Sequence, residues 1–187
     1  MINTEKIFTP RNTLIFIMIL IASLFRLIPL EYRMANFTPV GAMALFAGAF
    51  ITNKKYAILL PLSIMFITDI ILQITGQHGF HLLMPWVYGS FILIVLLGRF
   101  VQKLQRGYSS VVLTMVAPLL SSMLFFLITN FGVWVIGNVH TGVSLAQCYI
   151  DAIPFYKGTV LGDVFFTALL FSSFSIIKWR YPAVALS

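Results

Sequence analysis

Residues 57–75 read AILLPLSIMFITDIILQIT, a continuous apolar run that contains a single charged side chain, Asp69. A bilayer core about 30 Å thick is crossed by ~20 helical residues, so this run is long enough to span it as one helix. A membrane β-strand would instead alternate apolar and polar residues over ~10 positions. The run shows no such alternation, and it therefore predicts a transmembrane α-helix.

The composition of the whole chain extends this interpretation. Of 187 residues, 60% are hydrophobic and 9% are charged, whereas soluble domains have roughly 25% charged residues. So few charged side chains could not cover the outside of a water-soluble core. The sequence predicts an all-α, polytopic membrane protein whose outer solvent is the lipid bilayer, and nucleic acid is not an expected partner.

Proline and glycine residues divide the apolar sequence into six predicted spans within a single transmembrane domain, residues 1–187. Six spans of ~20 residues fit this length with room for loops. Pro39, Pro61 and Pro85 are expected in first turns, and Pro118 inside the fifth span predicts a kink. The spans are residues 13–30, 38–51, 57–75, 85–101, 111–130 and 159–177, with residues 131–158 as an outer cap.

The distribution of basic residues predicts the orientation of the bundle. Lys and Arg concentrate in cytoplasmic segments of membrane proteins. An arrangement with both termini inside places nine of the 12 Lys and Arg residues on the cytoplasmic side. These are Lys6, Arg11, Lys54, Lys55, Arg99, Lys103, Arg106, Lys178 and Arg180. The polar candidates for function then fall in the outer half.

Three charged residues are expected at a similar depth in the outer half of the spans: Arg26, Asp69 and Asp163. Charged groups in a membrane usually face a cavity or a partner. Arg26 could instead snorkel to the headgroups. Asp69 is too short to do so and is expected either to pair with Arg26 or to contact a ligand. Asp163 is equally compatible with a favourable position at the positive end of the last helix.

Polar and aromatic residues are expected near the same level and suit a sizeable organic ligand. An interfacial aromatic belt explains several of them equally well. His78 and His81, in the loop GQHGFH (residues 76–81), form a weak metal pattern, so either could coordinate a metal that a bound cofactor already holds. The candidates besides Arg26 and Asp69 are Arg33, Asn36, His78, His81, Tyr88, Asn130, Trp134 and Tyr156.

Motifs for catalysis are missing. The sequence contains no Gly-x-x-x-x-Gly-Lys-Ser/Thr nucleotide loop and no His-Glu-x-x-His zinc motif. No spacing of Ser121, Ser122 and Asp69 supports an intramembrane hydrolase. We therefore expect a protein that is not an enzyme and has no intrinsic cofactor, and any ATP-driven step would need partner subunits.

Three segments carry a resemblance to a family of small, uncharacterised membrane proteins assigned to transport: NFTPVGAMALFAGA (residues 36–49), TNFGVW (129–134) and CYIDAIPFYKG (148–158). This family is similar to the substrate-binding S components of energy-coupling-factor vitamin transporters, especially the solitary cobalamin S component of Gram-negative bacteria. The resemblance implies six helices in the bacterial inner membrane, a vitamin pocket on the outer side and an energising transmembrane subunit with ATPases.

In the cobalamin type, an acid late in the third helix, a cobalt-coordinating thiol in the next loop and a tyrosine opening the fourth helix line the pocket. Asp69 and Tyr88 match the acid and the tyrosine. No cysteine lies between them, so His78 or His81 would replace the thiol as axial ligand.

The sequence-based hypothesis is uptake of a vitamin-like cofactor, with cobalamin or a corrinoid first. Arg26, Asp69, Tyr88 and one loop histidine would line its site, and Trp134 and Tyr156 would cover it. A first alternative is an S-component-like transporter for another vitamin or a nucleobase-like solute. A second is a membrane assembly protein whose polar groups simply form a satisfied network.

Overall fold

A computed structural model describes residues 9–104, 110–138 and 141–181. Within these ranges the chain is helical and has no strand. Five helical segments are long and apolar enough to cross a membrane, while Val40–Phe50 is a shorter apolar helix. Lys6 and Arg106, two residues of the charge count, lie outside the described ranges. The helices are α1 (Pro10–Leu24), α2 (Val40–Phe50), α3 (Lys54–Ile74), α4 (Met84–Leu104), α5 (Ser110–Val133) and α6 (Leu145–Arg180).

Helix α2 forms the centre of the bundle. All of its residues from Val40 to Ala49 are buried, and it packs against each of the other five helices. At 1.5 Å per residue it rises only about 16 Å, roughly half of a bilayer core. The chain before it, residues 33–39, is not helical. Non-helical backbone at this depth is tolerated where protein or a cavity surrounds it.

Two arginines cap the C-terminal end of α2, where helix carbonyls have no partner inside the helix. Arg11 donates from Nη2 to the Phe50 carbonyl at 3.1 Å. Arg99 donates to the Ile51 and Thr52 carbonyls at 3.0 and 3.2 Å. Positive charge also suits the negative end of the helix dipole. The two guanidinium groups thus hold the C-terminal end of the central helix, at the end of the bundle that is rich in basic residues and is called its basic end below.

Glycines let α2 and α4 approach closely. A Cβ at Gly48 would lie 2.9 Å from the Val95 carbonyl carbon, and a Cβ at Gly98 would lie 3.1 Å from that of Leu45. Gly48 on α2 and Gly98 on α4 thus allow the two backbones to pack tightly, as small residues do between membrane helices.

The ends of two predicted spans are wrong. The first helix does not continue to residue 30: α1 ends at Leu24, a 3₁₀ turn follows over Phe25–Leu27, and Ile28 is extended, as expected before Pro29. The predicted boundary at Gly158, between cap and last span, is also absent, because α6 runs unbroken from Leu145 to Arg180. Gly158 instead allows the backbone of Ala35 to approach, at 3.0 Å from a Cβ built there.

The proline predictions have mixed outcomes. Pro39 is the N-cap of α2, and Pro85 is the second residue of α4. Pro61 lies about two turns inside α3, so its expected place in a first turn is wrong. Pro118 lies inside α5, as expected.

Candidate functional site

A polar network joins three elements at the end of the bundle opposite the basic one. Asp69 on α3 is 1% exposed and forms an ion pair with Arg26, which the 3₁₀ turn after α1 supplies. Tyr88, in the second turn of α4, donates from Oη to the other carboxylate oxygen at 2.6 Å. Arg26 also donates to Thr68 Oγ1 at 2.6 Å. Both oxygens of Asp69 therefore have partners within the protein.

The network shows which of the alternatives expected for Arg26 and for Asp69 the structure contains. Arg26 does not snorkel, because its guanidinium is bound by Asp69 and its side chain is 15% exposed. Of the two roles expected for Asp69, pairing with Arg26 is the one present. Buried charges are tolerated when they are paired and hydrogen-bonded. The arrangement ties α1, α3 and α4 together and gives each carboxylate oxygen one partner within the protein.

Arg33 stands apart from the network. Its Nε donates to the Ile28 carbonyl at 2.8 Å and so fastens the turn between α1 and α2. Burial, with the nearby charge of Arg26, lowers the pKa of the Arg33 guanidinium from its ordinary value. Its contact is structural.

A cavity of about 220 Å³ lies beside this end of α5 and α6. It brings together Asn36, Asn130 and Tyr156, three predicted site residues that belong to distant parts of the chain. The Tyr156 ring packs on Phe126 with 4.7 Å between centroids, and Asn130 donates to the Phe126 carbonyl at 2.8 Å. The lining consists of Asn36, Leu83, Val87, Phe125, Phe126, Thr129, Asn130, Val133, Ala152, Phe155, Tyr156 and Thr159.

A smaller chamber of about 60 Å³ adjoins this cavity. Asn36, Phe125 and Thr159 line both, so the two spaces are neighbours with a common wall. The chamber reaches the first turn of α2. Its other lining residues are Thr38, Gly41, Phe91 and Asp163.

Asp163 is the residue of this chamber that sequence reasoning left out of the site. It is 3% exposed, and its Oδ2 is buried with no hydrogen-bond partner among the described residues. Gly41 makes room for it, since a Cβ there would lie 2.8 Å from the carboxyl carbon. The expectation that Asp163 sits at the positive end of the last helix is wrong, because α6 begins 18 positions earlier, at Leu145. The helix start that it adjoins belongs to α2.

A signal for Asp163 was present in the sequence. Gly158 and Gly162 precede it on the same helix, and both lie against the backbone of residues 35–38. Two glycines one turn apart indicate a face that another backbone approaches. An acid next to such a face is placed inside the protein rather than toward lipid.

The structure does not bring the histidines to the site. Both His78 and His81 are exposed, and neither lines the cavity or the chamber. Their loop folds back on α3, where the Phe80 N–H donates to Gln73 Oε1 at 3.1 Å. In the described part of the chain no three His, Cys, Asp or Glu residues form a group that could hold a metal ion.

Trp134 does not cover the cavity. It begins the π-helical turn Trp134–Asn138 after α5, and its Nε1 donates to the Val143 carbonyl at 3.0 Å. Its indole therefore fastens the connection between α5 and α6, and it is absent from the lining of both spaces.

Comparison with known proteins places this arrangement in a family. The model of DUF6580, described as a family of unknown function, matches residues 6–184. The chain belongs to this family. No curated protein and no solved structure matches it. The matched range includes all six helices, and with them the polar network, the cavity and the chamber.

Proposed function

We propose that this protein binds a small organic solute in the larger cavity and takes part in its uptake across the bacterial inner membrane. The observation that carries the proposal is the cavity of about 220 Å³ lined by aromatic rings and amide and hydroxyl groups. Ligand sites combine apolar walls with a few polar groups that orient the ligand. Catalysis is not part of the proposal.

The size of the cavity bears on the solute. Sites for drug-sized ligands usually enclose roughly 300 to 1,000 Å³, whereas this cavity encloses about 220 Å³ and the chamber about 60 Å³. A corrinoid is larger than a drug-sized ligand and would require the helices around the cavity to separate. The cavity therefore favours the other vitamin or nucleobase-like solutes, while cobalamin stays a hypothesis that the same experiment tests.

The resemblance to S components supplies the rest of the proposal. Both termini would be cytoplasmic, and the cavity would open to the outer side. The chain has no nucleotide-binding loop, so energy would come from an energising transmembrane subunit with ATPases or from a gradient. Uptake requires the solute to bind two conformations with different affinity. We expect the non-helical residues 33–39 to move, because Asn36 in this segment lines the cavity.

Equilibrium binding tests this function. The purified protein in lipid nanodiscs would be titrated with cobalamin, cobinamide, riboflavin, thiamin, biotin and queuine. Ala152→Phe places a ring in the cavity, and Ala168→Phe makes the same change on an exposed position of α6. We expect one solute to bind to the wild type and to Ala168→Phe with similar affinity, and at least tenfold more weakly to Ala152→Phe. An affinity that Ala152→Phe leaves unchanged would show that the solute does not bind in the cavity.

The alternative is a membrane assembly protein. The complete pairing within the Arg26, Asp69 and Tyr88 network favours it, because a satisfied network needs no ligand. No binding by any of the six solutes would support this alternative over uptake.

A further inference from the structure

Asp163 is a buried acid that has no basic side chain beside it among the described residues. It is 3% exposed on α6, and the chamber beside it is lined by asparagine, threonine, phenylalanine and glycine residues besides Asp163 itself. Asp69, the other buried acid, has Arg26 and Tyr88 as partners. Acids inside a membrane protein normally have a partner or face an ion path. The lack of a charged partner for Asp163 in the described part of the chain therefore needs an explanation.

Several hydroxyl- and amide-bearing residues lie near Asp163 or line its chamber. Ser121 on α5 lies beside Asp163, and Thr167 follows one turn later on α6. Ser121 interacts with the carboxyl group, while the Thr167 hydroxyl oxygen and Asp163 Oδ2 are buried without a hydrogen-bond partner among the described residues. The chamber is also lined by Asn36, Thr38 and Thr159, whose side chains carry amide and hydroxyl groups. An acidic side chain among hydroxyl and amide groups, with no base beside it in the described part of the chain, suits a cation.

The chamber limits the size and charge of this cation. Its volume of about 60 Å³ is small beside the 220 Å³ of the neighbouring cavity, so it suits a compact group better than a bulky organic one. Divalent ions are commonly held by more than one carboxylate or by many oxygens in a dedicated cage. Only one acid lines this chamber. The site therefore suits a compact group with one positive charge.

We propose that the chamber at Asp163 binds a compact monovalent cation, either a free alkali ion or the ammonium group of the solute. The first turn of α2, next to Gly41, brings its positive dipole end to the carboxylate but supplies no full charge. Because the chamber shares a wall with the larger cavity, a cation here would lie next to a solute bound there. The alkali-ion form stands by itself, whereas the ammonium form rests on the proposed function.

Cation-dependent stability tests this proposal. The protein in nanodiscs would be unfolded by heat at constant pH and ionic strength in sodium, potassium, methylammonium or N-methylglucamine chloride. The last cation is too bulky for the chamber. A ligand that binds only the folded state raises the unfolding midpoint as its concentration exceeds Kd. We expect one of the three small cations to raise the unfolding midpoint above its value in N-methylglucamine chloride, and we expect this increase to saturate with cation concentration.

Matched variants assign the effect. Asp163→Asn keeps the shape and removes the charge, and Asp151→Asn is the same change at an exposed position of the same helix. The cation effect should weaken at least tenfold in apparent affinity in Asp163→Asn and persist in Asp151→Asn. Thr159→Val keeps the side-chain volume and removes a hydroxyl group from the lining, so it should weaken the apparent affinity for the cation several-fold. This variant tests the proposal if Asp163→Asn does not fold.

The outcomes distinguish a bound alkali ion from the ammonium group of a solute, and they distinguish the cation site from the proposed solute binding. An effect of sodium or potassium identifies an alkali-ion site, and an effect of methylammonium alone identifies a site for the ammonium group of a solute. Ala152→Phe should abolish solute binding yet leave an alkali-ion effect intact, so the cation site can survive the failure of the proposed function. Equal midpoints in all four salts, or a cation effect unchanged in Asp163→Asn, would overturn the inference.

Discussion

Breaking the ion pair between Arg26 and Asp69 one residue at a time should reduce stability far more than replacing both residues. The Asp69 side chain is 2% exposed and that of Arg26 is 15% exposed. Asp69→Leu leaves the guanidinium without its carboxylate, and Arg26→Met leaves the carboxylate with Tyr88 alone. The double variant leaves no unpaired charge.

The burial of the pair sets the magnitude. Removing one member of a buried ion pair costs about 3–5 kcal/mol, while replacing the pair by apolar residues of similar volume is often neutral. Arg26 retains some solvent contact, so about 3 kcal/mol is the appropriate value for Asp69→Leu. Tyr88 would lose its acceptor in that variant at a further cost of about 1–3 kcal/mol. Measuring the cycle in a Tyr88→Phe background removes this contribution.

The assay is reversible unfolding in mixed micelles for the four members of the cycle. We expect the two single changes to sum to at least 2 kcal/mol more destabilisation than the double change shows, since the residues of a close pair are not independent. Tyr181→Phe, an exposed tyrosine change, serves as the control for the background substitution. Additive single changes would mean that the pair is not formed and that Asp69 is free to bind a ligand.

Three further predictions concern packing, the histidines and the orientation. Gly98→Ala should destabilise the protein by about 2 kcal/mol or more in the same unfolding assay, because the methyl group overlaps the backbone of Leu45 on α2. Gly89→Ala on the same helix is the control. Its methyl group meets no atom within 4 Å, so the change should be neutral or stabilising by about 0.5–1 kcal/mol. His78→Asn and His81→Asn should change the affinity for any bound solute by less than twofold, as measured by calorimetric titration, since both side chains are exposed and neither lines the cavity. A tenfold loss of affinity would show that a histidine contacts the solute. In a Cys148→Ala background, a membrane-impermeant maleimide should label Glu31→Cys from outside intact cells and Lys55→Cys only after lysis, and the reverse pattern would invert the predicted orientation.

Several features of the site could be predicted from local sequence. A lone acid and a lone arginine in apolar runs indicated partners within the protein, and Asp69 and Arg26 are indeed paired. Pro39 marked the start of α2 because proline supplies no N–H and is tolerated at a helix start. The sequence could not place His78 and His81, which are exposed and line neither the cavity nor the chamber, because a pair of imidazoles in a loop does not determine on which side of the loop they lie.

The start of α6 shows how a local rule misleads. A glycine can interrupt a helix, and the predicted boundary between the outer cap and the last span therefore lies at Gly158. In the folded chain the same missing side chain admits the backbone of Ala35, so the glycine serves a contact with a segment more than a hundred positions away. This change moves Asp163 from the first turn of a helix to its interior.

Hydrophobicity acts on each residue through its contact with solvent, and so the amino-acid order alone determined that this chain forms apolar helices suited to lipid. The partners of each buried polar group depend on which helices pack together, and that packing is non-local. Only the tertiary structure therefore decided that Asp69 has an arginine beside it while Asp163 faces a chamber without one. The two acids have the same chemistry, and their surroundings give them different roles.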